Sequence, residues 1–287
     1  MPHKFTIKDF NEKYPHDDAC LVEIFNNRYG SIKVCPSCKK ETKFHKVTGR
    51  KCYACQYCGY QLHPLGGTIF HKSETSLKSW FYSIFLFANS KNGVSAKELE
   101  RQTGVTYKTA WRMAKQIRRL FFKPKKKLSK TVEVDETYIG ARKPGKRGRG
   151  AAGKTAILGM VQRKGSVITH VIRSHKVADI VPLVQRNVRA GSTVMTDELK
   201  AYNPLGKLGY QHKRVNHLSK KYVEGEIHTN TIEGFWSQLK RSINGTYHAV
   251  SPKYLPSYVD EFSYRYDLRK HPSSIFQPMI SRAARLA

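Results

Sequence analysis

The stretch Thr131–Gly140, "TVEVDETYIG", decides how the second half of the chain is interpreted. Apolar and polar residues alternate along its first half, which predicts a β-strand. This strand nevertheless carries three acids, Glu133, Asp135 and Glu136. The whole chain has 52 Lys plus Arg against 21 Asp plus Glu, a formal net charge of +31. Carboxylates within a strand of so basic a protein raise the question of what offsets their charge.

The overall composition predicts a folded protein with a polyanionic partner. The 287 residues are enough for two domains of ordinary size. A hydrophobic content of 39% with 11% aromatics favours packed cores over a disordered basic tail. The high net charge indicates nucleic acid as the first candidate partner and an anionic membrane as the second. On composition alone, a basic protein that coats RNA remains an alternative.

The N-terminal sequence and the apolar runs do not predict a membrane protein. The N-terminal sequence "MPHKFTIKDF" has no apolar segment of the secretory kind. The longest apolar run, Trp80–Ala88, is far shorter than the ~20 residues of a membrane helix. We therefore expect a soluble protein of the cytoplasm, without a membrane partner. Cysteines stay reduced in that compartment, which favours metal binding over disulfides.

Two Cys-x-x-Cys pairs, "CPSC" and "CQYC", predict a zinc ribbon. Four thiolates close a tetrahedral site, so the single Zn²⁺ is expected to be structural. The predicted zinc ligands are Cys35, Cys38, Cys55 and Cys58. Cys52 leaves an alternative open, because Cys52 and Cys55 have the same spacing. Gly59 favours the pair that ends at Cys58, since such turns prefer a glycine next.

The order of the remaining patterns predicts an α/β chain with several segments. Three strand-like runs from residue 131 are followed by a helix, two more strands and a last helix, which is an α/β order. The predicted segments are an N-terminal helical lead at 1–30, the zinc ribbon at 31–72, a helix-turn-helix DNA-binding region at 73–122, a basic linker at 123–130, a catalytic α/β domain at 131–270 and a C-terminal tail at 271–287.

Residues 94–121 have the layout of a helix-turn-helix. Ser95 and Glu98 form a capping-box pair, Gly104 ends the first helix, and Thr106 caps the second. Apolar spacing predicts an inward face made of Tyr107, Ala110, Trp111, Ala114, Ile117 and Phe121. We expect the early residues of the second helix to contact DNA bases and later ones, including Arg118, to contact phosphates. An ordinary helical hairpin with a solvated basic face is the alternative.

Three acids are candidates for a metal-dependent phosphoryl-transfer site. Asp135 lies in the first predicted strand, Asp197 closes the strand "STVMTD", and Glu233 lies in "HTNTIEGFWSQLKR". Carboxylates from separate elements can converge on a pair of Mg²⁺ ions, whose charge offsets their mutual repulsion. Glu133 and Glu136, like Glu198, are expected to be solvated or salt-bridged. Along the last of these stretches, apolar spacing predicts that Trp236 belongs to the core.

From about residue 10 to residue 270 the chain resembles the bacterial insertion-sequence transposases of the Asp–Asp–Glu type that carry an N-terminal zinc ribbon. The resemblance rests on "CPSC", "CQYCGYQ" and "GGTIF" in the ribbon, and on "VEVDETYIG", "MTDELKAY" and "HTNTIEGFWSQLKR" in the catalytic part. It implies a ribonuclease-H-like catalytic domain, two Mg²⁺ or Mn²⁺ ions per active site, and recognition of terminal inverted repeats. It also implies a bacterial protein that associates with the nucleoid when it binds DNA.

The resemblance also implies roles for individual residues. It assigns Asp135, Asp197 and Glu233 as metal ligands, with Asn230 and Lys240 in support. Some relatives use Asn as the third residue of the acidic site, so Asn230 is an alternative to Glu233 in that role. Helix spacing instead predicts that Asn230 is the N-cap of its helix. The residues expected to contact DNA are Thr106, Lys108, Thr109, Arg112, Arg142, Lys143, Lys146, Arg147, Arg149, Lys240 and Arg241.

The predicted reaction has two steps at one site. Water attacks a phosphodiester at the element end and frees a 3′-OH, which then attacks target DNA in line. Double-stranded DNA is therefore the expected partner, as inverted repeat and as target, and we expect a homodimer or larger assembly in the DNA complex. Two alternatives remain: a ribonuclease-H-like nuclease without strand transfer, and a domesticated regulator that uses only the ribbon and the helix-turn-helix.

Overall fold

The structure is a computed structural model that divides into two compact units. The first unit combines Met1–Leu120 with His271–Ala287, and the second is Phe121–Lys270. The structure describes residues 5–122, 124, 126–140, 153–215, 228–271 and 275–285. No helix within these ranges is both long and apolar enough to cross a membrane.

Helices and a small sheet make up the N-terminal part of the first unit. Its helices are α1 (Ile7–Lys13), α2 (Asp17–Tyr29), α3 (Leu77–Asn89), α4 (Ala96–Thr103) and α5 (Tyr107–Arg119). Local caps explain where several of them begin. Thr6 and Asp9 form a capping box at α1, and the carboxylate of Asp17 accepts hydrogen bonds from the first backbone N–H groups of α3, at Leu77 and Lys78.

The predicted ribbon is a three-stranded antiparallel sheet. Its strands are β1 (Phe44–Lys46), β2 (Tyr53–Cys55) and β3 (Gln61–Leu62), in that order. Each Cys-x-x-Cys turn is followed by a residue in the left-handed region, Lys39 at φ 60° and Gly59 at φ 71°. Glycine adopts this conformation without strain, so the preference for Gly59 beyond the second turn is explained. Lys39 adopts it at some cost in the first turn.

The helix-turn-helix is present with the predicted helix ends. Only the Ser95 half of the predicted capping box forms, because the Glu98 carboxylate accepts from Arg101 and Gln102. The Ser95 hydroxyl accepts from the Glu98 N–H, Gly104 ends α4 in the left-handed conformation, and the Thr106 hydroxyl caps α5.

The inward face differs from the expectation at several positions: Met113 is fully buried although it was not predicted there, and Trp111 is only partly buried. Tyr107 is exposed, because it lies in the first turn of α5 with its ring under the Lys97 ammonium. Arg118 is buried and donates to the backbone oxygen of Val94, so it is not placed to contact phosphates.

The second unit is built on one five-stranded mixed sheet. Its strands are β4 (Thr131–Ile139), β5 (Thr155–Gln162), β6 (Val167–Ile172), β7 (Thr193–Thr196) and β8 (Gln211–Arg214). They are ordered β6-β5-β4-β7-β8, with β4, β5 and β6 antiparallel and β7 and β8 parallel to β4. This is the strand order of a ribonuclease-H-like domain, as the resemblance implies.

Helical segments cover the two faces of this sheet. One face packs against α6 (Val177–Asn187) and a 3₁₀ segment (Lys200–Leu208), and the other against α7 (Asn230–Ser242) and α8 (Leu255–Asp267). Alternation along β4 decides which residues face which layer. Val132 and Val134 join the core on the α6 side, and Ile139 joins the core on the α7 side.

Two of the predicted segments, the basic linker and the C-terminal tail, differ from expectation. The basic linker 123–130 is not free at its C-terminal end: Leu128 is buried in the core of the second unit, and its N–H donates to Asn187. The C-terminal tail 271–287 contains a helix, α9 (Phe276–Arg285), that belongs to the first unit. Phe276 packs there against the rings of Phe10 and Phe85, because apolar residues recur at helical spacing along α9.

Candidate active site and metal centres

The four predicted cysteines converge at one end of the ribbon. Their sulfur atoms all lie within 4.8 Å of one another, with Cys35 Sγ 3.7 Å from Cys58 Sγ and Cys38 Sγ 3.9 Å from Cys55 Sγ. Such a set of soft donors at the corners of a tetrahedron fits Zn²⁺. Cys52 lies outside the group, buried, with its sulfur 3.5 Å from Gln61 Oε1. The structure thus favours the ligand set that ends at Cys58.

A second cluster consists of carboxylates in the sheet of the other unit. Asp135, Glu136 and Asp197 each place a carboxylate oxygen within 4.8 Å of the others. Asp135 and Glu136 are consecutive residues of β4, and Asp197 directly follows β7, the parallel neighbour of β4. Glu133 is paired with Met195 in that ladder, and continuing the same register sets Asp197 opposite Asp135. Hard oxygen donors grouped in this way fit Mg²⁺ or Mn²⁺.

Trp236 of α7 packs over the cluster and fixes one of its members. The indole Nε1 donates to Asp135 Oδ2 at 3.1 Å. Gly159 pairs with Asp135 on β5 and leaves the space for that indole. A Cβ at this glycine would lie 2.5 Å from Trp236 Cζ2 and 2.9 Å from Ile232 Cδ1. Trp236 is almost fully buried, which confirms the prediction that it is a core residue.

The carboxyl of Asp135 is electrostatically unusual. Burial, the largest cause, raises its pKa from 3.8 to about 6. The negative charges of Asp197 and Glu233 raise the pKa further, while hydrogen bonds from the Glu136 backbone and from Trp236 oppose the change. Asp135 is therefore a carboxylate whose ionised form is destabilised until a positive charge arrives.

Glu233 lies near this cluster without belonging to its innermost group. It is exposed on α7, and its carboxylate accepts a hydrogen bond of 2.8 Å from the Thr229 hydroxyl. Among the described residues, Glu136 occupies the position in the group that Glu233 was expected to fill. The N-cap of α7 is Thr229, so the expectation that Asn230 caps this helix is wrong: Asn230 is its first helical residue and is exposed.

Glu136 and Tyr202 lie at the carboxylate cluster, and both were missed in the sequence analysis. Glu136 was expected to be a solvated or salt-bridged acid, and its neighbour Tyr202 was not considered. Tyr202 is fully buried at the 3₁₀ segment, and burial raises the pKa of its hydroxyl well above the ordinary value, with a further contribution from the charge of Glu136. The only sequence signal was the position of Tyr202 within "MTDELKAY", four residues beyond Glu198.

The residues expected to contact DNA are distributed over both units. In the first unit, Thr106, Lys108 and Arg112 are exposed on or next to α5, and Thr109 is partly buried. Arg112 donates to the Ser73 hydroxyl at 3.1 Å. Lys240 and Arg241 are exposed near the end of α7. The remaining five, Arg142, Lys143, Lys146, Arg147 and Arg149, lie outside the described residues.

Comparison with known proteins assigns the chain to a family. Residues 127–267 match the ISXO2-like transposase domain, and residues 15–61 match a transposase zinc-ribbon domain. The chain therefore belongs to the insertion-sequence transposases of the Asp–Asp–Glu type that carry this zinc ribbon. It is a transposase, and its cysteine cluster is the structural zinc site of the ribbon.

Individual relatives agree with this assignment. A protein of the transposable element ISH50 from Halobacterium salinarum is 28% identical over 258 residues, which cover 83% of this chain and 86% of that protein. A transposase-like protein of Haemophilus influenzae is 27% identical over 112 residues, covering 39% of this chain and 89% of that protein.

Two solved structures align with much of the chain, but with low sequence identity and a low TM-score. The Mos1 strand transfer complex aligns with 71% of this chain and 75% of its own at 10% identity and a TM-score of 0.31. A Mos1 paired-end complex aligns with 72% of this chain and 79% of its own at 12% identity and a TM-score of 0.27. Similarities of this size add nothing to the fold, which rests on the strand order.

Proposed function

We propose that this transposase binds the terminal inverted repeats of its element, cleaves the element ends in a metal-dependent reaction, and joins the freed 3′-OH to target DNA. The convergence of Asp135, Glu136 and Asp197 between two parallel strands carries the proposal. These residues, with Glu233 at the edge of the group, would hold two Mg²⁺ or Mn²⁺ ions. Bound there, the ions would promote in-line attack at phosphorus by stabilising the entering and leaving oxygens.

The chain's own groups set the conditions for that chemistry. The carboxylates would supply oxygen ligands. The pKa of Asp135 is raised first by burial and further by the charges of Asp197 and Glu233, and a bound cation would favour the ionised form. The indole N–H of Trp236 donates to Oδ2 of Asp135 and so restrains the orientation of this carboxylate. Lys240 and Arg241 on α7 would hold DNA phosphates beside Glu233 as point charges.

Recognition of the inverted repeat is assigned to α5. Its exposed N-terminal residues would contact base edges in the major groove, as in other helix-turn-helix proteins. Thr106, Lys108, Thr109 and Arg112 supply hydroxyl and cationic groups suited to that role. The segment 141–154 is rich in basic residues and would add contacts to phosphates without sequence readout.

Alanine at Asp135 or Asp197 tests the active site. Each variant should lose cleavage of an end-containing duplex with Mg²⁺ and keep DNA affinity, because the carboxylates serve the cations while the basic surface serves the DNA. Cleavage is measured on labelled oligonucleotides and affinity by fluorescence anisotropy at fixed salt. A folded variant that still nicks the end DNA removes that residue from the site.

Strand transfer needs its own assay, because a nuclease on the same fold would also cleave. Wild-type protein is incubated with pre-cleaved end DNA and a supercoiled plasmid, and joined products are sequenced. Joined ends are the expected result. Cleavage without joining would favour the nuclease, and binding without either reaction would favour the regulator.

Glu233 and Asn230 are distinguished by a matched pair of substitutions on α7. Both residues are exposed, and they are neighbours on one edge of the helix. We expect Glu233→Gln to eliminate cleavage, since an amide supplies no charge to a cation, and Asn230→Ala to keep measurable cleavage. The reverse pattern in folded variants would transfer the ligand role to Asn230.

A further inference from the structure

Glu133 is a fully buried carboxylate on β4, two residues before Asp135 and on the same face of the strand. Donors surround both of its oxygens. Oε1 accepts from Arg163 Nε at 2.7 Å and from the Thr231 hydroxyl at 2.8 Å. Oε2 accepts from the backbone N–H groups of Thr231 at 2.8 Å and Ile232 at 3.0 Å.

These backbone N–H groups belong to the first turn of α7. The helix has no side-chain cap from its own N-cap residue, Thr229, whose hydroxyl donates to Glu233 instead. Glu133, on β4, therefore caps α7 from the sheet. Its negative charge also interacts favourably with the positive end of the helix dipole. The N-terminus of the helix that carries Glu233 is thereby attached to the strand that carries Asp135.

Arg163, which follows β5, extends the attachment to the third element of the site. Its Nη2 donates to the backbone oxygen of His228 at 3.0 Å, just before α7. The same Nη2 lies 3.1 Å from the sulfur of Met195, the β7 residue paired with Glu133. The pair of the buried Glu133 and the partly exposed Arg163 thus contacts β4, β7 and α7. Asp135 and Glu233 lie on two of these elements, and Asp197 directly follows the third.

We propose that Glu133, held by Arg163, is a positioning residue that sets α7 against β4 and β7, so that Glu233 and Trp236 reach the carboxylate cluster in a metal-binding arrangement. Glu133 itself faces the helix terminus and does not contact the cations. This inference rests on the proposed metal site at Asp135 and Asp197.

Glutamine at position 133 is a sharp probe because of the donor pattern. The Oε2 position meets two backbone N–H groups, which can only donate. The Oε1 position meets the Arg163 guanidinium, which also can only donate, beside the Thr231 hydroxyl and His228 Nδ1 at 3.5 Å. The amide N–H₂ group therefore faces at least one obligate donor whichever way it turns. The substitution keeps the volume of the side chain and removes one acceptor at the helix terminus or at the guanidinium.

The second unit offers a matched control in Glu261. This residue is also fully buried, and Arg265 Nη2 donates to its Oε1 at 2.7 Å, the same distance as in the Glu133 pair. Both members of the control pair lie on α8. The Tyr247 hydroxyl also donates to Glu261, and Tyr247 ends the π-helical segment that continues α7 at its C-terminal end, away from the first turn that Glu133 caps. Glu261→Gln therefore disturbs a buried ion pair and leaves the hydrogen bonds of Glu133 to the first turn of α7 in place.

The experiment measures cation binding in the full-length, zinc-loaded protein without DNA. Terbium(III) replaces the divalent ions, and its luminescence is excited through Trp236, whose indole contacts Asp135. Trp236→Phe should remove the sensitised signal and so locate it, and Asp135→Ala should abolish binding. Thermal unfolding of each variant, measured by circular dichroism, gives its stability in parallel.

We expect Glu133→Gln to weaken terbium binding by about 10-fold or more, the usual effect of losing a group that orients a metal ligand. Competition by Mn²⁺ should weaken by the same factor, and Glu261→Gln should change neither by more than about twofold, even where it lowers the unfolding temperature equally. Arg163→Lys keeps the charge but not the fork geometry, and should weaken binding severalfold in a folded protein.

Three outcomes would overturn the inference. Unchanged terbium affinity in a folded Glu133→Gln or Arg163→Lys protein would reduce the pair to a contributor to folding. An equal loss in Glu261→Gln would mean that any buried ion pair in this unit has the same effect. Unchanged binding in Asp135→Ala is a different failure, because it removes the proposed metal site itself.

Discussion

The cysteine cluster and the carboxylate cluster are both built to hold cations, but they differ in how the chain assembles them. The four cysteines lie within 24 positions of sequence, from Cys35 to Cys58, on two turns of the same kind. The carboxylates come from β4 and from the end of β7, and α7 completes their surroundings from still farther along the chain. The first site depends on local turns, and the second depends on the packing of a whole domain.

The largest effect is expected from removal of one zinc ligand. Cys38→Ser should lose the zinc and unfold the ribbon, since a segment this small depends on its metal for stability. Zinc content is measured by atomic absorption, and the ribbon is monitored by hydrogen exchange of β1 to β3. Cys52→Ser is the control and should keep about one zinc per chain, because its sulfur lies outside the cluster. Equal zinc loss in both variants would contradict the ligand set.

A methyl group at Gly159 should damage the carboxylate site through packing alone. Gly159→Ala places a Cβ against the Trp236 indole, so the ring must shift and its hydrogen bond to Asp135 must change. We expect a loss of up to about 3 kcal/mol in the free energy of unfolding, as for other overpacked cores. Chemical denaturation measures the loss, and the zinc content should stay normal. A variant as stable as the wild type would mean that α7 can move away at little cost.

Replacement of Asp135 should have a smaller effect of opposite sign, a gain in the free energy of unfolding, when no divalent cation other than zinc is present. The pKa of Asp135 is raised to about 6 in the folded state, so folding favours the protonated form. The associated stability is fully present below the unfolded-state pKa and is lost as the pH rises through about 6. Asp135→Asn should therefore raise the free energy of unfolding by about 1–2 kcal/mol at pH 8.

The measurement for Asp135→Asn is thermal unfolding at several pH values. The difference between variant and wild type should shrink as the pH falls from 8 to 4, and Mn²⁺ should stabilise only the wild type. A difference that does not depend on pH would show that ionisation of the buried Asp135 carboxyl is not what destabilises the site.

The smallest effect is expected at Gly234, which serves as a matched glycine for position 159. It lies inside α7 next to Glu233, and an added Cβ would meet nothing within 4 Å. Gly234→Ala should stabilise the protein by about 0.5–1 kcal/mol through helix propensity. Denaturation measures this gain beside the loss at Gly159. Destabilisation at Gly234 would indicate a contact that the helix needs.

The contrast between local turns and domain packing also explains how much of each site could be predicted from the sequence. The spacing of the cysteines predicted the ribbon but left Cys52 open, and Gly59 favoured the set that converges in the structure, because the turns that bring the sulfurs together are local. The caps of the helix-turn-helix were also readable from Ser95, Gly104 and Thr106. Periodicity failed at Arg118, since a long side chain can be buried when its guanidinium finds a backbone acceptor.

The carboxylate site was predicted only in part, and the missing part is tertiary. Asp135 and Asp197 were identified and do converge, but Glu136 was treated as an ordinary surface acid. Its inclusion depends on where β7 ends beside β4, which no local pattern specifies. The cap of α7 was assigned to Asn230 by proximity in sequence, whereas Glu133 supplies it from 98 positions away.

The packing of Trp236 against Gly159 constrains how transposases of this kind can change in sequence. Because the indole occupies the space of the missing Cβ, the two positions should evolve together. A descendant that acquires a side chain at position 159 must first reduce the one at position 236, and it then loses the N–H that holds Asp135. Lineages that cross this step should have either replaced that hydrogen bond from another residue or stopped moving, leaving immobile copies in their hosts.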